Sequence, residues 1–265
     1  MEPPVDAAVE RLIAPVVDHV CRHDPGALAG FYLYGSAVTR LNPDSDIDLL
    51  LLTHRSLTSG ERAAIIGILL EVSGWHDHAE RFPEAADRRP IELTSVVLGD
   101  VSSWPEWPTR DFQYGEWMRA EFVEGGLSPP ARDHDVVTLL ATAQAEHRAL
   151  IGPALSDLVA AVPRGALRDA VLAGIPDLLD DIAGDERNTL LTLARAVVTI
   201  RDGRIVAKDV AAEEVIEHLD GHGRSLLAWA RDGYRGIVVD DWSDRTAEAH
   251  ALAHRLAELA GSLDD

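Results

Sequence analysis

A chain of 265 residues, 46% hydrophobic and 26% charged, can bury a core in one large domain or two small ones, which excludes a disordered chain. Its net charge of −21 repels nucleic-acid phosphates and attracts cationic small molecules or basic proteins, although the same charge also serves solubility alone. The one cysteine, Cys21, excludes an internal disulfide or a multi-cysteine metal centre, as suits a reducing cytoplasm.

The opening Met1-Glu2-Pro3-Pro4 lacks the basic and apolar regions of a secretory leader. Apolar residues at helical spacing predict a first helix over Val5 to Val20. Phe31-Tyr32-Leu33-Tyr34 reads as a short strand ended by Gly35-Ser36, and a turn at Asn42-Pro43-Asp44 leads into a buried strand over Asp46 to Leu52. A helix follows over Glu61 to Val72, between Ser59-Gly60 and Gly74. The longest apolar run, near Ala63 to Val72, is too short to cross a membrane, so the expectation is a cytoplasmic monomer with no membrane partner. Ile91 to Leu98 is the next strand. Residues 100 to 130 are irregular, with Trp104, Trp107, Phe112, Tyr114 and Trp117 among prolines and glycines. From Asp135 onward the pattern is nearly continuous helix, broken at Gly152-Pro153, Pro163, Gly174 to Pro176, Gly184, Gly203, Gly221 to Gly223 and Gly236. The expected class is α+β: an N-terminal domain over residues 1–155 with a mixed sheet and helices, then a helical bundle over 156–265.

The chemistry sits in Gly35-Ser36 and Asp46-Ile47-Asp48. On a strand, side chains two apart share a face, so Asp46 and Asp48 point together while Ile47 points into the core. Adjacent carboxylates repel unless a cation lies between them, and Mg²⁺ prefers such oxygen ligands while leaving room for phosphate. Two ions roughly 3.5–4 Å apart can clamp the attacking and leaving oxygens of an in-line displacement. Gly35 lets the backbone approach a triphosphate, and the Ser36 hydroxyl offers a phosphate contact, with Ser45 a further candidate. Glu92 is a lone acid inside Pro90-Ile91-Glu92-Leu93-Thr94. It is either the outward residue of an edge strand or a third carboxylate that binds metal, takes the proton of an attacking hydroxyl, or does both. His76, His78, His134 and His147 show no ligand spacing.

Gly35-Ser36-Ala37-Val38 with Pro43-Asp44-Ser45-Asp46-Ile47-Asp48-Leu49-Leu50 resembles the polymerase-β nucleotidyltransferase superfamily. More closely, the chain resembles the aminoglycoside 3''(9)-adenylyltransferases of streptomycin and spectinomycin resistance. That likeness extends through Arg89 to Thr94, Gln113-Tyr114-Gly115-Glu116-Trp117, Leu150 to Pro153, Gly184-Asp185-Glu186-Arg187-Asn188 and Ala207 to Ala212, in family order. It implies a polymerase-β-like first domain, ATP as co-substrate, two Mg²⁺ ions, and AMP transfer to a drug hydroxyl in a cleft between the domains, with release of pyrophosphate. By matching segments it makes Asp46 and Asp48 metal ligands and Glu92 the general base. Trp117, Asp185, Asn188 and Asp181 would meet a cationic aminoglycoside-type drug; Arg195, Lys208 and Tyr234 would join Gly35, Ser36 and Ser45 on the nucleotide.

Some of this is visible without the family. On a helix from Gly184, residues Asp185, Asn188, Thr192 and Arg195 share one face, which suits a cationic drug at one end and a polyphosphate at the other, or simply acids complementing a helix start. Lys208 is the only lysine among 24 basic residues and opens a helix, where N–H groups also favour anions. Trp117 is a stacking wall or a core residue. Dual-specificity members carry a tryptophan shortly before the Gly-Asp-Glu-Arg segment; here Gly174 to Asp181 has none, with Pro176 near its place, so spectinomycin is the expected drug ahead of streptomycin. The alternatives are the same transfer to another small molecule, a protein or RNA, or a binding protein without catalysis.

Overall fold

The computed structural model describes residues 5–39, 41–43 and 45–263, so Met1 to Pro4 and Asp44 of the motif lie outside the described residues. Two compact units are formed. The first takes residues up to Val136 and Glu146–Ala161; the second takes Val137–Ala145 and the residues from Val162 on.

Helix α1 (Ala7–His23) starts at Asp6, whose carboxylate accepts from the Ala8 N–H at 2.7 Å, and buries Val9, Ile13, Val16 and Val20 at steps of four, three and four. Strand β1 (Leu28–Tyr34), the short helix α2 (Ser36–Thr39) and strand β2 (Ile47–Thr53) follow. Helix α3 (Ser59–Val72) begins with a reciprocal cap: Thr58 Oγ1 accepts from the Glu61 N–H, and the Glu61 carboxylate accepts from the Thr58 N–H. Next come β3 (Ile91–Val97), α4 (Leu98–Val101), β4 (Thr109–Arg110), β5 (Phe112–Tyr114), α5 (Arg119–Val123) and β6 (Ala131–Arg132). After α6 (Asp135–Ala145) the chain returns to the sheet as β7 (His147–Ile151) and ends the unit near α7 (Leu155–Leu158). The main sheet has the order β5-β3-β2-β1-β7, with only β2 and β3 parallel, while β4 and β6 form a separate ribbon.

The register sorts the side chains into two faces. Phe31, Leu33, Ile47, Leu49, Leu51, Ile91, Leu93, Phe112 and Tyr114 pack against α1 and α3 as the core of this unit. Residues one step out of phase point the other way. Tyr34 pairs with Asp48, and Asp48 with Glu92, so these three share the opposite face.

In the second unit, α8 (Arg164–Asp180), α9 (Glu186–Asp202), α10 (Lys208–Ile216), α11 (Gly221–Tyr234) and α12 (Thr246–Ser262) build a bundle around α9. Helix α9 buries Leu190, Leu191, Leu193, Ala194, Val197, Val198 and Ile200, and Gly203 ends it in the left-handed conformation at φ 68°. Among the described residues no helix is long and apolar enough to cross a membrane.

Two expectations from the sequence are corrected. The helical run after Asp135 is interrupted by β7, which pairs antiparallel with β1 through Tyr34↔His147 and Tyr32↔Ala149. The break expected at Gly174 to Pro176 is absent, since Pro176 lies inside α8. A proline there costs roughly 3 kcal/mol of helix stability. Packing of Val171, Leu172, Ile175, Leu178 and Leu179 against the bundle core opposes that cost.

Candidate active site

Gly35 closes β1 with φ 69°, in the left-handed region that favours glycine, and Ser36 opens α2. A Cβ on Gly35 would lie 2.5 Å from Asp48 Oδ2, so the turn and the carboxylate share one space that no larger residue leaves open. Asp46 sits one residue before β2 rather than within it, and both aspartates are half-buried. The loop carrying Asp46 is pinned from below. Arg89 Nη1 donates to the carbonyls of Asn42 at 3.0 Å and Ser45 at 2.6 Å, and the Ile47 N–H donates to the Pro90 carbonyl at 2.9 Å. Ser45 itself is buried.

Glu92 lies directly across from Asp48 on the parallel neighbour β3, half-buried, and this settles the edge-strand alternative: β3 is interior, flanked by β2 and β5. Gln113 on β5 faces Thr94, and its Nε2 reaches diagonally to donate to Glu92 Oε1 at 3.1 Å. Gln113 Oε1 in turn accepts from Arg110, whose Nη1 is 3.0 Å from Asp133 Oδ2.

Trp117 stands in a tight turn over Glu116–Met118 and is 60% exposed. Its ring lies where a Cβ on Gly115 would be, so glycine is needed for the ring to fold back over the backbone. The next residue inward, Glu116, is buried and accepts from Ser73 Oγ at 2.5 Å, Tyr114 OH at 2.9 Å and Arg119 Nε at 2.7 Å. Burial pushes the Glu116 carboxyl up, but the bonds from Arg119 and Ser73 outweigh it and hold the group below the usual glutamate range. Burial, then the Glu116 charge, pushes the Tyr114 phenol well up.

In the second unit Asp185 is the N-cap of α9 and Lys208 the first residue of α10. Asn188 joins them: its Nδ2 donates to Asp185 Oδ2 at 2.8 Å and its Oδ1 accepts from Lys208 Nζ. Along the middle of α9, where Thr189 to Leu191, Leu193, Ala194 and Ala196 to Ile200 are buried, Thr192 and Arg195 are not, so the stripe from Asp185 to Arg195 is the accessible face of that helix. Tyr234 is the last residue of α11 and packs partly on the bundle core, and Asp181 caps the C-terminus of α8.

The structure thus joins Gly35, Asp48 and Glu92 in the first unit and Asp185, Asn188 and Lys208 in the second. Sequence reasoning gave no role to Arg89 or Gln113, although both fall in segments it singled out. Neither carries a spacing signal, because each acts across the fold. Among the described residues, no three His, Cys, Asp or Glu side chains gather in a way that could hold a metal ion. Asp48 and Glu92, paired across the two strands, and Asp46 just before β2 offer carboxylate oxygen, the donor type that a hard cation such as Mg²⁺ prefers.

Paired carboxylates on adjacent strands beside a glycine-serine turn, followed by a helical unit, match the nucleotidyltransferase pattern that the sequence resembles. Comparisons with known proteins narrow the class. Residues 157–258 match the family of the aminoglycoside adenylyltransferase C-terminal domain. A spectinomycin 9-adenylyltransferase of Staphylococcus aureus is 37% identical over 85% of both chains. An aminoglycoside (3'')(9) adenylyltransferase of Escherichia coli is 35% identical over 96% of this chain and 95% of its own. A spectinomycin adenyltransferase from Enterococcus faecialis, solved with ATP and spectinomycin, superposes with a TM-score of 0.85 at 25% identity, covering 95% of this chain and 98% of that one. The chain belongs to the aminoglycoside (3'')(9) and spectinomycin adenylyltransferase family, and it is an aminoglycoside adenylyltransferase.

Proposed function

We propose that this enzyme transfers AMP from ATP to a hydroxyl of spectinomycin and releases pyrophosphate. The observation that carries the reading is the Asp48–Glu92 pair on one sheet face beside the Gly35-Ser36 turn. The drug hydroxyl attacks the α-phosphorus, the bond from that phosphorus to the bridging oxygen breaks, and the hydroxyl proton passes to Glu92. Asp46, Asp48 and Glu92 would hold two Mg²⁺ ions, which would supply positive charge to offset the triphosphate. Gly35, Ser36 and Ser45 bind phosphate oxygens, and Arg195, Lys208 and Tyr234 are further candidate ligands of the nucleotide. Trp117 gives the drug a stacking wall, and Asp185, Asn188 and Asp181 take its cationic and hydroxyl groups.

Spectinomycin is favoured over streptomycin because Gly174 to Asp181 has no tryptophan. The S. aureus relative named for spectinomycin points the same way. Incubation with ATP, Mg²⁺ and each drug, followed by mass spectrometry, tests this: an AMP increment is expected on spectinomycin. A folded, ATP-binding protein that modifies neither drug would sink the proposal. Glu92→Gln is expected to bind ATP and drug while losing turnover.

A further inference from the structure

We infer that Gln113 is a positioning residue for the carboxylate of Glu92, and that Arg110 fixes which way its amide faces. The inference rests on the reading of Glu92 as general base and deepens it.

A glutamine amide can present either its oxygen or its NH₂ to a neighbour, and only the second helps a carboxylate. Here the choice is forced. Arg110 has donors only, so the oxygen of Gln113 must turn toward the guanidinium, and the NH₂ is then left facing Glu92 Oε1 at 3.1 Å. The flipped amide would set NH₂ against guanidinium and oxygen against carboxylate, two repulsions in place of two bonds. Arg110 is itself held by Asp133 at 3.0 Å. Asp133 follows β6, which pairs with β4 through Arg110↔Ala131, and its N–H donates to the Pro108 carbonyl at 3.0 Å. The ribbon β4–β6 therefore anchors a chain, Asp133–Arg110–Gln113–Glu92, that ends on the base.

This chain addresses a particular difficulty. Glu92 stands across from Asp48, and a flexible glutamate beside another acid would swing away from it. A donor on the β5 side holds Glu92 Oε1 where the sheet register puts it. Holding a reacting group within a fraction of an ångström governs the chemical step more than substrate affinity.

The test is Gln113→Glu, which keeps the length and an acceptor for Arg110 but replaces the donor facing Glu92 by an acceptor. Using whichever drug the wild-type enzyme adenylates, kcat is expected to fall about 10–100-fold, as for loss of a hydrogen bond to a charged group. KM for ATP and drug should stay within about twofold and the melting temperature should not fall. Gln113→Met, which lacks both groups at similar size, should lose kcat in the same way. In a Glu92→Gln background, Gln113→Glu should cost nothing further. Unchanged kcat in both Gln113 variants, or a rise in KM alone, would overturn the inference while leaving Glu92 as base. Full turnover by Glu92→Gln would instead overturn the general-base reading itself.

Discussion

At the scale of single residues, the site depends on what is left out as much as on what is present. Gly35 combines a φ of 69° with a Cβ position 2.5 Å from Asp48 Oδ2. Gly35→Ala would bring backbone strain of about 1–2 kcal/mol and push Asp48 from its place. We expect at least a tenfold drop in kcat on the order of 1.4 kcal/mol, with a fold that persists; steady-state kinetics beside a thermal melt would show it, and unchanged kcat would refute it. Glu116 makes a different prediction, about stability. Its folded carboxyl is held below the usual value of 4.5, so its contribution is complete above that pH and is lost as the pH falls through the lower folded value. Arg119, Tyr114 and Ser73 face it as hydrogen-bond donors, and His78 Nε2 lies 3.0 Å from Glu116 Oε2. Glu116→Gln leaves Arg119 buried without its charge partner, a loss of about 3–5 kcal/mol for a pair as buried as this. Melts from about pH 7 to about pH 3 should find the variant less stable at neutrality and less sensitive to acid than the wild type. Parallel pH profiles would contradict it.

At the scale of elements, the strand alternation made the face that carries Asp48 and Glu92 legible in advance. The alternation in Asp46-Ile47-Asp48 correctly sent Ile47 to the core, and the apolar neighbours of Glu92 marked an interior strand. Helix α9 was readable for the same reason, its period leaving Asn188, Thr192 and Arg195 on the face that the core does not cover. Strand β7 was not. His147 to Ile151 carries two polar residues and little alternation, and its place is decided by pairing with β1, more than a hundred positions earlier, which no local pattern records. The anchoring of the loop before β2 was equally hidden, since Arg89 acts on carbonyls 44 and 47 positions away in sequence. Arg89→Met should therefore free the Asn42 to Ser45 loop. The expected result is a kcat loss of about tenfold or more, with turnover demanding more Mg²⁺, and a melting temperature lowered by only a few degrees. A large loss of stability with normal turnover of the folded fraction would show that Arg89 serves the fold and not the loop.

At the scale of the whole molecule, the −21 charge was the first property visible and is the one least tied to any residue. It bears on the two substrates in opposite ways. A cationic acceptor is drawn toward an acidic surface, whereas the ATP polyanion is repelled at long range and, in the proposed function, held by local groups such as Lys208. Salt weakens both long-range effects, because the Debye length shrinks to about 10 Å at 0.1 M. Raising ionic strength with a neutral-pH buffer and constant Mg²⁺ should then lower kcat/KM for the cationic drug several-fold, with the fall mainly in KM. For ATP the long-range repulsion is relieved as the local attraction weakens, so its kcat/KM should change less and not in parallel. If both constants fell together and by the same factor, salt would be acting on the chemical step or the fold. The acidity would then be a matter of solubility alone, which is the reading that composition by itself could not set aside.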